Sequence, residues 1–359
     1  MSRLLSKLSP LIHKRSARLF SSSRTGPCAS VCIMVEPSPD GENVGEVLLY
    51  DVSKCKLVTS PTKAYPKALD ESALVGASHG WGFFSDRQDR LMVISDLLNP
   101  FASKSKPKMI PLPQFTSLPN CQTQVVCNVA MSSSPEPYDK DWTVGVKFLG
   151  KQLSLCMPRK DLRWTNISVP FESSDYSSLM YSKKDKRFYL PAPGSNYLCS
   201  WDLNFKKDNK PQFHELVLHN LPNMRRPRWK VSDSYCREDH YVESPSGECF
   251  LVKWYSSYSP DGTIVPTVMV FREEDTKDGR KNMCYTQNIG DLCIFISKGE
   301  DFCVPASSKP RLHPNSVFLN GRLFATLNMT EATVGCYEYP EGTPDRIPYS
   351  PYWLPPFST

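Results

Sequence analysis

Five histidines stand outside the first 25 residues, at 79, 214, 219, 240 and 313. They are the natural candidates for general acid–base work or metal ligation, and none occurs in H-E-x-x-H or a related ligand spacing. His79 precedes GWGFF and is a candidate general base, whereas His214 and His219 flank ELVL and fall on opposite faces if that run is a strand. The chain has neither G-x-S-x-G nor a phosphate loop ending in G-K-S/T, so esterase chemistry and nucleotide hydrolysis have no motif behind them. The acidic pairs Glu273/Glu274 and Asp86/Asp89 read as solvated turn residues.

Thirteen cysteines are spread along the chain without a C-x-x-C. Cys28/Cys32 is the one pair spaced closely enough for structural zinc, and no neighbouring Cys or His completes it. Cys199, Cys293 and Cys303 lie among apolar or aromatic residues, where a free thiol packs as a small hydrophobe. The glycosylation-type tripeptides at Asn166 and Asn328 matter only in a secreted chain. No catalytic, cofactor-binding or metal-binding residues are therefore assigned, although a site assembled from residues distant in sequence stays open.

A basic loop, LPNMRRPRWK, places Arg225, Arg226, Arg228 and Lys230 beside Trp229, a weak candidate for contact with RNA or a protein partner. Its competing reading is a solvated loop with Trp229 packed inward. The formal net charge of +6 favours the second, because it resides in residues 1–25, which hold Arg3, Lys7, Lys14, Arg15, Arg18 and Arg24 and no acid. The body carries 37 basic and 37 acidic groups, and nucleic acid is not an expected partner.

Residues 1–25 are also rich in Ser, with Leu4, Leu8, Leu11 and Ile12 at helical intervals, the composition of an organellar transit peptide. Lys7, Pro10, His13 and Lys14 interrupt the apolar centre that a secretory signal needs. Arg18-Leu19-Phe20-Ser21 fits a mitochondrial cleavage pattern, with the cut after Phe20 and Ser21 as the new amino terminus. The mitochondrion is the expected destination, with plastid or dual import as the alternative.

The elements that must position any site are strands. Hydrophobic residues make up 40% of the chain, enough for a packed core, and 32 prolines against 17 glycines leave little room for long helices. From about residue 44 short apolar runs alternate with polar turns. VGEVLLYDV leads to KCKLV, GWGFFSD turns at RQD into RLMVISDLL, VGVKFL turns at GK into QLSLCM, and SVFL turns at NG into RLFATLN. Further hairpins are expected from SLMYS with RFYLPAP, ECFLVKWYSSY with IVPTVMVFRE, and LCIFISK with FCVPAS. Segments 100–120 and 132–140 read as loops. So many hairpins exceed one sandwich and suit radial four-stranded blades, with Trp81, Trp142, Trp164, Trp201, Trp229 and Trp254 packing between sheets. The expectation is an all-β fold, a β-propeller of about six or seven blades over residues 26–359, preceded by a disordered or helical leader over 1–25. No run is long and apolar enough to span a membrane as a helix.

Several segments together resemble the plant domain-of-unknown-function 295 family, relatives of F-box proteins with a kelch-like propeller. They are SHGWGFF, LLNPF with IPLP, KRFYLPAPGSNYLCSWDL, NIGDLCIFISKGEDFCVPAS, LHPNSVFLNGRLF and YSPYWLPPF, of which Gly290–Phe295 leading to Pro314–Leu319 is the most specific. F-box members of this family act as substrate receptors of ubiquitin ligases. This chain has the transit-like leader where an F-box would stand, and so resembles the organellar branch that lacks the ligase connection. The resemblance implies organellar import and supplies no activity or cofactor. The expected function is non-catalytic protein binding through the propeller face, by a monomer with an unknown protein partner. The alternatives are an enzyme with a central site, or a cytosolic ubiquitin-ligase-receptor-like protein if the leader is no transit peptide.

Overall fold

Runs rich in β-branched and aromatic residues become strands throughout, and the computed structural model contains no helix longer than a single 3-10 turn among the described residues. It describes residues 26–136, 141–173, 177–192, 196–207, 210–222, 236–258, 264–274, 280–321, 324–336 and 352–357. The cleavage residues Arg18, Phe20 and Ser21 and the cluster Arg225, Arg226, Arg228, Trp229 and Lys230 lie outside the described residues.

The first sheet holds β1 (Cys28–Pro37), β2 (Asn43–Asp51) and β3 (Lys56–Thr59), with β4 (Lys63–Ala64) also paired to β2. The second is the meander β5 (Ser72–Ser78), β6 (Trp81–Asp86), β7 (Met92–Ser95) and β8 (Met109–Pro111). Thus part of the 100–120 segment read as loop is an edge strand, paired to β7. Proline is tolerated there because an edge leaves its missing N–H uncalled for.

The third sheet holds β9 (Gln122–Met131), β10 (Val144–Cys156) and β11 (Thr165–Ser173). β10 doubles back on itself: Val144–Leu149 pair with β9, Gly150–Leu155 pair with β11, and Leu155 reaches within 3.1 Å of where a Cβ would stand on Gly145. In a straight strand ten residues span roughly 33 Å. The GK turn read from the sequence is this reversal, and Gly150 takes it with a φ of +99°.

Next come β12 (Met180–Ser182), β13 (Arg187–Pro191), β14 (Tyr197–Asp202) and β15 (Gln212–His219), then β16 (Cys236–Glu243), β17 (Cys249–Tyr258), β18 (Ile264–Glu274) and β19 (Lys281–Thr286). Each group of four is an antiparallel meander, but β15 and β19 pair in parallel, fusing the two into one eight-stranded sheet. The last sheet orders β21 (Phe302–Pro305), β20 (Leu292–Ile296), β22 (Ser316–Leu319), β23 (Ala325–Asn328) and β24 (Thr333–Cys336). The described strands therefore form five hydrogen-bonded sheets, where the sequence led us to expect six or seven separate blades. β25 (Tyr352–Leu354) pairs with β1, so one sheet unites the two ends of the described chain.

Apolar cores fill the spaces between neighbouring units and follow one another in a ring, from β1–β2 against β5–β7 around to β20–β22 against β1, β2 and Trp353. Trp81, Trp142, Trp164, Trp201 and Trp254 lie in these cores as expected. On the inside of the ring, β25 contacts β5, β5 contacts β9, and the series continues through β12 and β16 to β21.

A bulge in β1 between Ser30 and Cys32 disposes of the possible zinc pair. Regular alternation puts residues 28 and 32 on one face, but the extra residue turns Cys32 to the other. Cys28 packs with Leu49 and Leu354, Cys32 with Leu48 and Trp353, in separate cores. Burial pushes both thiols up, and it raises those of Cys199 and Cys293 to about 12. Among the described residues no cluster of metal-ligating side chains occurs.

Candidate functional site

The turn Ser297–Asp301, sequence SKGED, joins β20 to β21 and reaches most of the inner strands. On β5, Ala77 O accepts from Glu300 N (2.8 Å) and the Ser78 hydroxyl donates to Glu300 (2.6 Å), as does the next backbone N–H, of His79 (3.0 Å). On β9, the Asn128 amide donates to Lys298 O (3.0 Å) and Gly299 O (2.9 Å) and accepts from Leu179 N (2.8 Å). Beside β12 the Ser178 hydroxyl donates to Asp301, and on β16 His240 Nδ1 lies 2.7 Å from the same carboxylate. On β25, Trp353 N donates to Ser297 Oγ (3.2 Å). Gly299 makes the approach possible, since a Cβ there would lie 2.9 Å from Ala77 O.

Buried polar groups are tolerated only when paired. Asp301 and His240 are 5% and 4% exposed, and Glu238 stands 3.5 Å from His240 Nε2 on the other side. Burial opposes charge on this imidazole, but the Asp301 carboxylate and then Glu238 outweigh it, holding His240 up to about 10 and so protonated at neutral pH. The same strand carries Asp239, which is ion-paired to Lys253 (3.0 Å) and Arg237 (3.2 Å). Ser178, Asp301 and His240 thus form a cross-brace between units. They are not a nucleophile relay, because the hydroxyl and the imidazole both point their protons at the carboxylate.

Against this brace lies a cavity of about 720 Å³. Its walls include Tyr181, Phe302, Trp353 and Pro355, and its mouth is made of three turns: His79–Gly80 after β5, Lys183 and Lys184 after β12, and Ser244–Gly247 after β16. His79 adopts φ +50° with its Nε2 3.2 Å from Met131 O and 3.5 Å from Glu300. Gly80 follows at φ +79°, where a Cβ would also strike the Phe357 ring at 2.6 Å. Glu243 accepts from the Ser182 hydroxyl and from Lys183 N (3.1 Å), fixing the lysine turn. The ammonium groups of Lys183 and Lys184 have no partner among the described residues, whereas Glu243, Glu300 and Asp301 each hold a turn or brace in place. The Ser78 hydroxyl is occupied by Glu300, and burial drives the Cys303 thiol far up. The arrangement fixes the shape of a mouth with exposed lysines around it.

Three segments singled out in the sequence, SHGWGFF, SKGEDFC and YWLPP, meet here. His79 sits at the mouth. His214 and His219 fall on opposite faces of β15 as expected, and His214, whose Nε2 is 2.8 Å from Ser200 Oγ, is lowered to about 4 by burial and by Lys281. Asp86 turns the chain by accepting from Gln88 N (2.7 Å) and Asp89 N (3.1 Å). Glu273 departs from the turn assignment: it is a β18 residue bonded to Lys281 (2.7 Å) and the Tyr241 hydroxyl. His240 was one of the five candidate histidines, but Ser178 and Asp301 are unremarkable locally, and the fold alone brings the three together.

A sequence model described as the KIB1-4 beta-propeller matches residues 49–338. None of the curated proteins compared matches this chain. Among solved structures, AztD of Citrobacter koseri is similar at 12% identity and a TM-score of 0.36, over 78% of this chain and 61% of that one. The amino-terminal domain of Nup159 is similar at 9% identity and a TM-score of 0.31, over 72% and 62%. A luciferin-regenerating enzyme is similar at 10% and 0.30, over 73% and 89%. This chain spans about three fifths of the length of AztD and of the Nup159 domain.

Proposed function

Because the chain belongs to the KIB1-4 β-propeller family, we propose that it is a non-catalytic binding module that holds a protein partner on the face around the axial cavity. The observation that carries this reading is the commitment of Glu243, Glu300 and Asp301 to bracing turns from different units, which leaves a fixed mouth edged by lysines with no partner among the described residues. A rigid scaffold presenting variable turns suits recognition. We propose six blades, reading the eight-stranded sheet as two, a division that the separate inter-unit cores support. We also place the chain in the organellar branch of the domain-of-unknown-function 295 family, working in the mitochondrion after loss of residues 1–20.

The test is a pull-down from intact organelles with full-length bait and a Lys183→Glu/Lys184→Glu control. Recovery of a discrete partner that the control loses supports the reading; background proteins alone, or a partner that the control retains, overturn it. A carboxy-terminal fluorescent tag with sequencing of the mature terminus tests the destination, which requires a mitochondrial signal and a start at or near Ser21. A cytosolic signal with Met1 retained favours the ubiquitin-receptor alternative. The central-site enzyme keeps one observation in its favour, the His79–Glu300 pair at the cavity.

A further inference from the structure

A second cavity, of about 250 Å³, lies where the first and last sheets meet, away from the axial mouth. Its walls are the rings of Tyr50, Phe318, Phe324 and Trp353, each at most 7% exposed. These rings hold one another edge-on or tilted: Tyr50 against Phe324 at 5.4 Å, Trp353 against Phe324 at 5.7 Å and against Phe318 at 6.2 Å. Packed against one another in this way, the rings line an apolar space with the geometry aromatic pairs prefer. Two wall residues, Thr326 and Trp353, hold polar atoms, Oγ1 and Nε1, with no hydrogen-bond partner among the described residues. At the rim stand the exposed residues Arg311 and His313 with the exposed thiol of Cys55. Among the described residues the guanidinium makes a single long contact, 3.5 Å to Lys54 O, which leaves most of its donors without a partner there.

We propose that this cavity binds a small planar aromatic carboxylic acid, its ring between the wall aromatics and its carboxylate on Arg311. An apolar cavity of roughly 150 Å³ suffices for benzene, so this one admits a ring with a short acidic substituent. A guanidinium at the mouth of an aromatic slot supplies orientation and a charge-assisted bond that a neutral ligand does not form.

Benzoate and naphthalene-2-carboxylate, with naphthalene-2-carboxamide as neutral control, are titrated into the full chain and followed by saturation-transfer NMR and calorimetry. At least one acid is expected to bind, to bind more tightly than the amide, and to slow alkylation of Cys55 read by peptide mass spectrometry. Arg311→Gln, at an exposed position, is expected to weaken the acid on the order of tenfold or more and to leave the amide unchanged. Thr326→Leu, which narrows the cavity, is expected to weaken both, with an unchanged circular dichroism spectrum as evidence of folding. Absence of acid binding, indifference to Arg311→Gln, or binding retained in folded Thr326→Leu with Cys55 unprotected overturns the proposal.

Discussion

Replacing Asp301 by Asn removes the charge that three units share. In the native protein this carboxylate accepts from Ser178 and faces the imidazolium of His240 at 2.7 Å, both almost wholly buried. Taking one partner from a buried pair costs about 3–5 kcal/mol. The protonation equilibrium gives a figure of the same order for the whole cluster, Glu238 included: raising His240 from 6.5 to about 10 corresponds to about 4–5 kcal/mol. A histidine raised on folding binds its proton more tightly in the native state, so its contribution is complete below pH 6.5 and disappears as pH climbs toward 10. The stability gap between wild type and Asp301→Asn is therefore largest near pH 6.5, and narrows by up to about 1.4 kcal/mol per pH unit on the way to pH 9.5. Equilibrium urea unfolding at pH 6.5, 8 and 9.5, with fluorescence and circular dichroism required to coincide, measures it. A gap below about 1 kcal/mol at pH 6.5, or one that does not change with pH, refutes the brace.

Gly299→Ala forces a Cβ against Ala77 O at 2.9 Å and should cost about 1–3 kcal/mol by the same unfolding assay. Trp353→Ala opens the wall shared by both cavities and should cost about 3–5 kcal/mol, lowering the thermal midpoint by several degrees in calorimetry. His214 is lowered on folding, so the native state loses stability as pH falls from 6.5 toward 4; a His214→Gln variant should flatten that acid limb in urea midpoints.

Hairpins were legible because each is local: apolar alternation and a polar turn suffice, as at the Gly-Lys reversal in β10 and in the pairing of β22 with β23, although β23 begins at Ala325 and not directly after Asn320-Gly321. The parallel pairing of β15 with β19 was not, because it joins strands whose own patterns say nothing of each other. The bulge that separates Cys28 from Cys32 was equally hidden, since a one-residue insertion changes facing without changing composition. Of the site, His79 and the SHGWGFF, SKGED and YWLPP segments were noticed, but their convergence was not. Buried charge is invisible to sequence patterns: Lys63 is 1% exposed, its ammonium donating to Leu97 O (2.8 Å) and held down to about 8 by burial, and it reads locally as an ordinary polar turn residue.

The pairing of β25 with β1 also sets an order of events. Tyr352 and Ser30, hydrogen-bonded neighbours in one sheet, are 322 residues apart along the chain. Contacts of such separation reward loop closure only after nearly everything between them is in place, and so form late. Until residues 352–354 arrive, β1 keeps an open edge and the ring a gap. A chain emerging amino terminus first thus stays unlocked until residues 352–354 have been made, still able to be handed to a chaperone, and is sealed when β25 reaches β1.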